Sequence, residues 1–184
     1  MQRIRVNGRR IIFGIVLPIV FFLVLVALDQ ITKYAFKDLY QEKGNTLFLG
    51  EFLSFTYTFN QGAAYGLFAG KEWGQVFFKV LTVFALIVFA LVFVYSYKKK
   101  NLFLSYSVLT VMAGTVGNFI DRVLNNGVID FITMKVGKYV PFGIFNLADV
   151  FLSFGVILMI IYFLFIDENA VFRKSTNGNE KSKD

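Results

Sequence analysis

Four aspartates stand in or beside long apolar stretches of this chain: Asp29, Asp121, Asp130 and Asp149. Polar companions recur around them at helical spacing, with Lys33 four residues after Asp29, Asn118 and Arg122 flanking Asp121, and Asn146 three residues before Asp149. The sequence has no cysteine and no histidine, which removes thiol nucleophiles, disulfides, Ser–His–Asp triads and imidazole metal ligands together. What remains for acid–base chemistry is a pair of carboxylates. Two aspartates held close together cannot both ionise, so they share one proton. The ionised member can take a proton from water, while the protonated member polarises a carbonyl and later protonates a leaving amine. A helix starting just before Asp149 would favour that residue as the charged member, through its N-terminal dipole.

Each group also has a purely structural reading. Asp29 and Lys33 can form an i,i+4 ion pair on a helix surface, with the lysine reaching toward the interface. Asn146-Leu147-Ala148-Asp149 has the form of a capping box. Lys79 reads as an interfacial lysine of the same reaching kind. Asn118, Asp121 and Arg122 are harder to explain this way. They share one helical face at i, i+3 and i+4, and an aspartate near a helix C-terminus opposes the dipole and needs a partner. Asp130 lies in Val128-Ile129-Asp130-Phe131-Ile132, where burying a carboxylate without a purpose is unfavourable. Coincidence explains one or two of these placements, and the whole set poorly.

The elements that must position these residues are membrane spans. The chain is 57% hydrophobic, and its apolar residues gather into four stretches, about 11–36, 74–97, 102–124 and 145–166. Each is long enough to cross roughly 30 Å of hydrocarbon. The net charge of +7 does not point to nucleic acid, because the bases orient the spans instead. Arg3, Arg5, Arg9 and Arg10 precede the first span, Lys98 to Lys100 separate the second and third, and Arg173, Lys174, Lys181 and Lys183 follow the fourth. The intervening loops are acid-diluted or poor in bases, so the positive-inside rule predicts cytoplasmic N and C termini. The first stretch runs too long for a cleaved signal peptide and ends in Leu28-Asp29-Gln30 rather than a small-residue cleavage site. In this topology every acid within or beside the membrane falls near the outer face. The expected domain is a single unit over residues 1–166, with a polar cytoplasmic tail over 167–184.

The first outer loop carries a second kind of element. Leu53, Phe55, Tyr57 and Phe59 alternate with Ser54, Thr56 and Thr58, the period-2 pattern of a half-buried strand. Leu47 to Glu51 is expected to pair with it through a turn around Gly50, giving an outer β segment over about 47–68. Its apolar side would rest on the membrane or on the helix ends. Gly62, Gly66 and Gly70 would then allow a turn or close backbone approach.

Five motifs, in order and spacing, resemble lipoprotein signal peptidase (signal peptidase II): Asp29-Gln30-Ile31-Thr32-Lys33, Asn60-Gln61-Gly62-Ala63-Ala64-Tyr65-Gly66, Gly117-Asn118-Phe119-Ile120-Asp121-Arg122, Val128-Ile129-Asp130-Phe131 and Phe145-Asn146-Leu147-Ala148-Asp149. One departure is Ala113 before Gly114, where the family commonly has paired glycines. The resemblance implies an all-α membrane protein with four transmembrane helices and a small extracytoplasmic β-cradle between helices 1 and 2. It implies an aspartic endopeptidase of the bacterial cytoplasmic membrane, with its site at the extracytoplasmic face. The substrate would be a prolipoprotein signal peptide whose following cysteine carries diacylglycerol, cut on the N-terminal side of that cysteine. Asp130 and Asp149 would be the catalytic pair. Asn60, Asn118, Arg122 and Asn146 would orient substrate or pair, and Asp29, Lys33, Gly114 and Asp121 would support them. No cofactor or metal is implied; membrane lipid and globomycin-type inhibitors are implied partners, and nucleic acid is not. Three other classes fit parts of the residue pattern: a coupled transporter, whose site usually lies at the midplane, a non-catalytic assembly subunit, and a divalent-metal enzyme using oxygen ligands.

Overall fold

The computed structural model describes residues 12–43, 47–62, 71–135, 137, 139–168 and 170–172. Helix α1 covers Leu17–Lys43 after one π-helical turn at Ile12–Val16, α2 covers Glu72–Lys98, α3 covers Leu102–Asn125, and α4 covers Leu147–Ile161 and continues through a π-helical turn at Tyr162–Ile166. All four are long and apolar enough to cross a membrane. Gly66 and Gly70 lie outside the described residues.

Helix α3 is the centre of the bundle. Of its most apolar window 61% is buried inside the protein, against 11%, 6% and 11% for the other three, so α3 faces protein where they face outward. Small residues make this possible by letting helix backbones approach. A Cβ on Gly114 would lie 2.3 Å from the Ala148 carbonyl oxygen of α4, and one on Gly155 of α4 would meet Val111 at 2.7 Å. The hydroxyls of Ser107, Thr110 and Thr115 return to carbonyls four residues back, which satisfies them without water. At the end of the bundle away from the sheet, Asn101 caps α3 by accepting the Leu104 N–H at 3.0 Å, and Ser96 bonds Ser105 at 2.9 Å.

At the opposite end lies an antiparallel sheet in the order β1 (Leu47–Leu49), β2 (Leu53–Asn60), β3 (Val128–Met134) and β4 (Ile144–Phe145). The β1–β2 hairpin turns at Gly50, whose φ of 74° suits glycine, as its sequence predicts. The sheet is not confined to the α1–α2 connection, however. Half of its strands come from the α3–α4 connection, which the sequence marks only by the apolar, β-branched run around Asp130. The strict alternation in β2 does not give a clean polar face either. A bulge between Phe55 and Thr58 shifts the register, and Ser54 is buried opposite Thr133. The sheet leans on the last turns of α1: Phe36 stacks on Phe55 and Phe131 with ring centroids 4.8 and 4.4 Å apart, and Tyr40 stacks on Tyr57 at 5.5 Å. This support accounts for α1 continuing to Lys43, past the apolar stretch that ends near residue 36.

Candidate active site

The site is assembled where the sheet meets the ends of α1 and α3 and the start of α4. Helix α1 contributes Asp29 and Lys33, both fully buried. The surface ion pair with a reaching lysine is therefore wrong: burial without partners would be prohibitive, and the partners come from α3. Lys33 Nζ lies 2.8 Å from Asp29 Oδ2, 3.0 Å from Asp121 Oδ2 and 3.0 Å from Asn118 Oδ1. Its three hydrogens thus have three acceptors. Asp121 gains the partner its position near a helix C-terminus requires. Gln30 closes the cluster, donating to Asp29 Oδ2, Asp121 Oδ1 and the Gly117 carbonyl at 3.1–3.2 Å.

The remaining two aspartates stand apart from that lysine. Asp130 is carried by β3 and is almost fully buried, whereas Asp149 sits in the first turn of α4 and is half-buried. Asp130 accepts from Asn146 Nδ2 at 2.8 Å and from Asn60 Nδ2 at 3.1 Å. The pairing of Thr58 with Asp130 and of Asn60 with Val128 delivers that second amide. Asp149 Oδ1 accepts from Asn118 Nδ2 at 2.8 Å, and its Oδ2 accepts the Asn146 backbone N–H at 3.1 Å. Asn146 Oδ1 accepts the Asp149 N–H in return, so the capping box is present. Capping and site building are one act here: the amide that caps α4 also donates to Asp130 and to Asn118 Oδ1, the latter at 2.9 Å. A single buried asparagine thus links the two carboxylates.

Electrostatics separate the members of the pair. Burial, and then the nearby charge of Asp149, push the Asp130 carboxyl up from 3.8 to about 7, against the amides of Asn60 and Asn146 and the charge of Lys33. Asp149 sits at the N-terminal end of α4 and accepts two N–H donors. Arg122 donates to the Asn118 carbonyl at 3.5 Å, lies over the Phe78 ring at 5.5 Å, and stands in the field of Asp149, Asp130 and Asp121.

A cleft of about 1080 Å³ opens over these groups, lined by Asn60, Asn118, Arg122, Asp130 and Asp149. It continues along α4 past Val150, Ser153, Phe154 and Ile157, where it becomes apolar. From Asp149 to Ile157 the helix rises about 12 Å. Lys79 lies outside the cleft and donates to Asn126 at 2.8 Å at the surface, in keeping with an interfacial role. Gly114 contributes no group to the cleft and serves the contact of α3 with α4 described above. Sequence reasoning missed Gln30 and Gly117. A Cβ on Gly117 would lie 2.4 Å from Asp29 Oδ2, so glycine leaves room for that carboxylate. The signal for both was their place within the motifs around Asp29 and Asn118.

Four membrane-length helices around a cleft holding two aspartates define a multi-pass membrane protein with the equipment for acid–base hydrolysis. The sequence profile described as signal peptidase (SPase) II matches residues 21–165. Lipoprotein signal peptidases of Staphylococcus aureus strains MRSA252 and JH9 are each 36% identical over 157 residues, covering 85% of this chain and 88% of theirs. A bacterial membrane enzyme solved by the in meso method at 2.3 Å resolution superposes with a TM-score of 0.68 at 34% identity, over 92% of this chain and 96% of its own. A second such enzyme, solved at 1.9 Å, gives 0.65 at 38% identity over 82% and 94%. The chain belongs to the signal peptidase II family.

Proposed function

We propose that this protein is an aspartic endopeptidase that removes signal peptides from prolipoproteins, with Asp130 and Asp149 as its catalytic pair. The observation that carries the assignment is the amide linkage: Asn146 donates to Asp130 and caps Asp149, so both carboxylates are oriented into one cleft by one residue. In this reading Asp149, at the start of α4, is the base, and Asp130 holds the shared proton. Asp149 takes a proton from water as its oxygen attacks the scissile carbonyl carbon. Asp130 donates a hydrogen bond to the carbonyl oxygen and then gives its proton to the leaving nitrogen as the C–N bond breaks, leaving the proton from water on Asp149 as the pair's shared proton. Arg122, Asn60 and Asn118 are within the cleft to position the substrate backbone.

The substrate carries diacylglycerol on the cysteine that follows the cut. The apolar continuation of the cleft along α4 supports this, because a signal helix and acyl chains need a path from the carboxylates into hydrocarbon. Residues 1–166 act as one peptidase domain, with 167–184 as a polar tail. The basic clusters support a bacterial cytoplasmic membrane location with both termini inside and the cleft at the outer face. Globomycin-type inhibitors would occupy the same cleft.

The test uses purified enzyme in lipid nanodiscs with one precursor prepared with and without diacylglycerol on the cysteine. Cleavage N-terminal to the lipidated cysteine, at least tenfold faster than for the unmodified precursor, is expected. Equal rates on both would remove the lipid from the specificity. Cysteines placed at Lys99 and Tyr139 should label from opposite sides of sealed vesicles; labelling from one side would undo the orientation.

A further inference from the structure

We infer that Lys33 is the positioning residue for both catalytic aspartates, holding each through its own spoke of hydrogen bonds. The inference rests on the assignment of Asp130 and Asp149 above. Each of the three acceptors around Lys33 Nζ reaches a different part of the catalytic machinery. Asp29 takes Lys33 on Oδ2 and, with Oδ1, accepts the N–H of Ala148 at 2.8 Å, one residue before Asp149. Asp121 takes Lys33 on Oδ2 and accepts the N–H of Ile129 on that oxygen at 3.1 Å, one residue before Asp130. Asn118 takes Lys33 on Oδ1, which obliges its Nδ2 to point the other way, toward Asp149 Oδ1 at 2.8 Å. One spoke therefore fixes the backbone behind Asp130 and two fix Asp149, by backbone and by side chain. These elements are far apart in sequence, and the lysine is where they converge.

A merely structural salt bridge would not need this arrangement. Two buried carboxylates around one ammonium leave an excess negative charge, which is costly in a membrane protein and is retained only with good hydrogen-bond geometry. Besides Lys33 and Gln30, Asp29 and Asp121 each accept the backbone N–H of the residue preceding one of the catalytic aspartates. The cation also acts at a distance. Among the described residues, the charged groups around the pair are Lys33 and Arg122 against Asp29 and Asp121; Lys33 is one of the smaller influences that oppose the raised proton affinity of Asp130, and Arg122 also stands in the field of that carboxylate. Removing it makes Asp130 harder to ionise. Arginine would not substitute, because its planar fork cannot present three donors from one nitrogen to three converging acceptors.

The experiment compares wild type, Lys33→Met, Lys33→Arg and the double variant Lys33→Met/Asp29→Asn, in nanodiscs, on a lipid-modified precursor. The double variant keeps the net charge of the cluster, and the introduced asparagine can still accept the Ala148 N–H. Its melting temperature should therefore recover toward wild type even where Lys33→Met unfolds. Its kcat should nevertheless stay at least tenfold down with KM within about threefold. Lys33→Arg should not rescue. A folded double variant with wild-type kcat would overturn the inference and leave Lys33 as packing. Asp130→Asn, run alongside, reports on the underlying assignment: if it cleaves normally, the catalytic pair itself is wrong, and the Lys33 result is then read as a stability effect alone.

Discussion

Asp29 and Asp121 differ from Asp130 and Asp149 in what neutralises them, although all four are gathered into one end of one bundle. The first two share the ammonium of Lys33, are shut away from the cleft, and each accept a backbone N–H, Asp29 on its other oxygen and Asp121 on the oxygen that also meets Lys33. The second two accept hydrogen bonds from amides rather than from Lys33, and line the cleft beside Arg122. A carboxylate bonded directly to an ammonium is fixed in place by it, which suits it to holding structure. Burial and a neighbouring carboxylate push Asp130 up to about 7, which lets it hold and exchange a proton near neutrality. The same residue type therefore does two jobs in one site, and the partner chemistry assigns them.

The comparison breaks most sharply at the proposed catalytic pair. Asp149→Asn should lower cleavage of a lipid-modified precursor roughly 10²- to 10⁴-fold with the fold intact, because asparagine can still cap α4 but cannot take a proton. Near-normal cleavage by a folded Asp149→Asn enzyme would reduce Asp149 to a cap. Asp130→Asn should be as inactive, and the two together should lose no more than either alone, as residues acting as a unit do.

Asp130→Asn carries a second consequence for stability. The Asp130 carboxyl binds its proton up to about pH 7 in the folded protein and only to about 3.8 otherwise. The folded state thus holds the extra proton between those values, so stability falls as pH rises through that window. Asparagine has no such charge to bury. Thermal melts should show Asp130→Asn gaining on wild type as pH rises from 4 to 7 and keeping that advantage above 7. An advantage that shrank with rising pH would mean Asp130 is not held protonated.

The closed cluster is tested through its glycines. Gly117→Ala would drive a Cβ against Asp29 Oδ2, and Gly114→Ala would drive one against the Ala148 carbonyl under Asp149. Overpacking of this kind costs roughly 1–3 kcal/mol. Gly114→Ala should be the worse in melting temperature, because backbone gives way less readily than a side chain. Activity measured on the folded fraction should fall in both. The smallest effect belongs to Lys79→Gln, whose bond to Asn126 is exposed; stability should stay within about 0.5 kcal/mol and cleavage near wild type. A large loss there would put Lys79 in the machinery.

The four spans, the β1–β2 hairpin and the cap at Asn146 were legible in the sequence by itself, because each depends on residues a few positions apart: apolar runs of membrane length, period-2 alternation around Gly50, and an asparagine three residues before an aspartate. The candidate site residues were legible too, through motif order and through the cost of leaving carboxylates in apolar surroundings. Only the tertiary structure decided what those residues do to one another. That Lys33 turns inward to Asp121 rather than outward to the interface depends on α3 packing against α1, 85 residues on for its bond to Asn118. That β3 and β4 join the hairpin, bringing Asn60 to Asp130, depends on pairing across 70 residues. Local patterns record which face of an element is apolar, but the partner of a buried charge is chosen where distant segments meet. In the low-dielectric interior of a membrane bundle, that choice determines which aspartates are tied to a lysine and which are left facing the cleft.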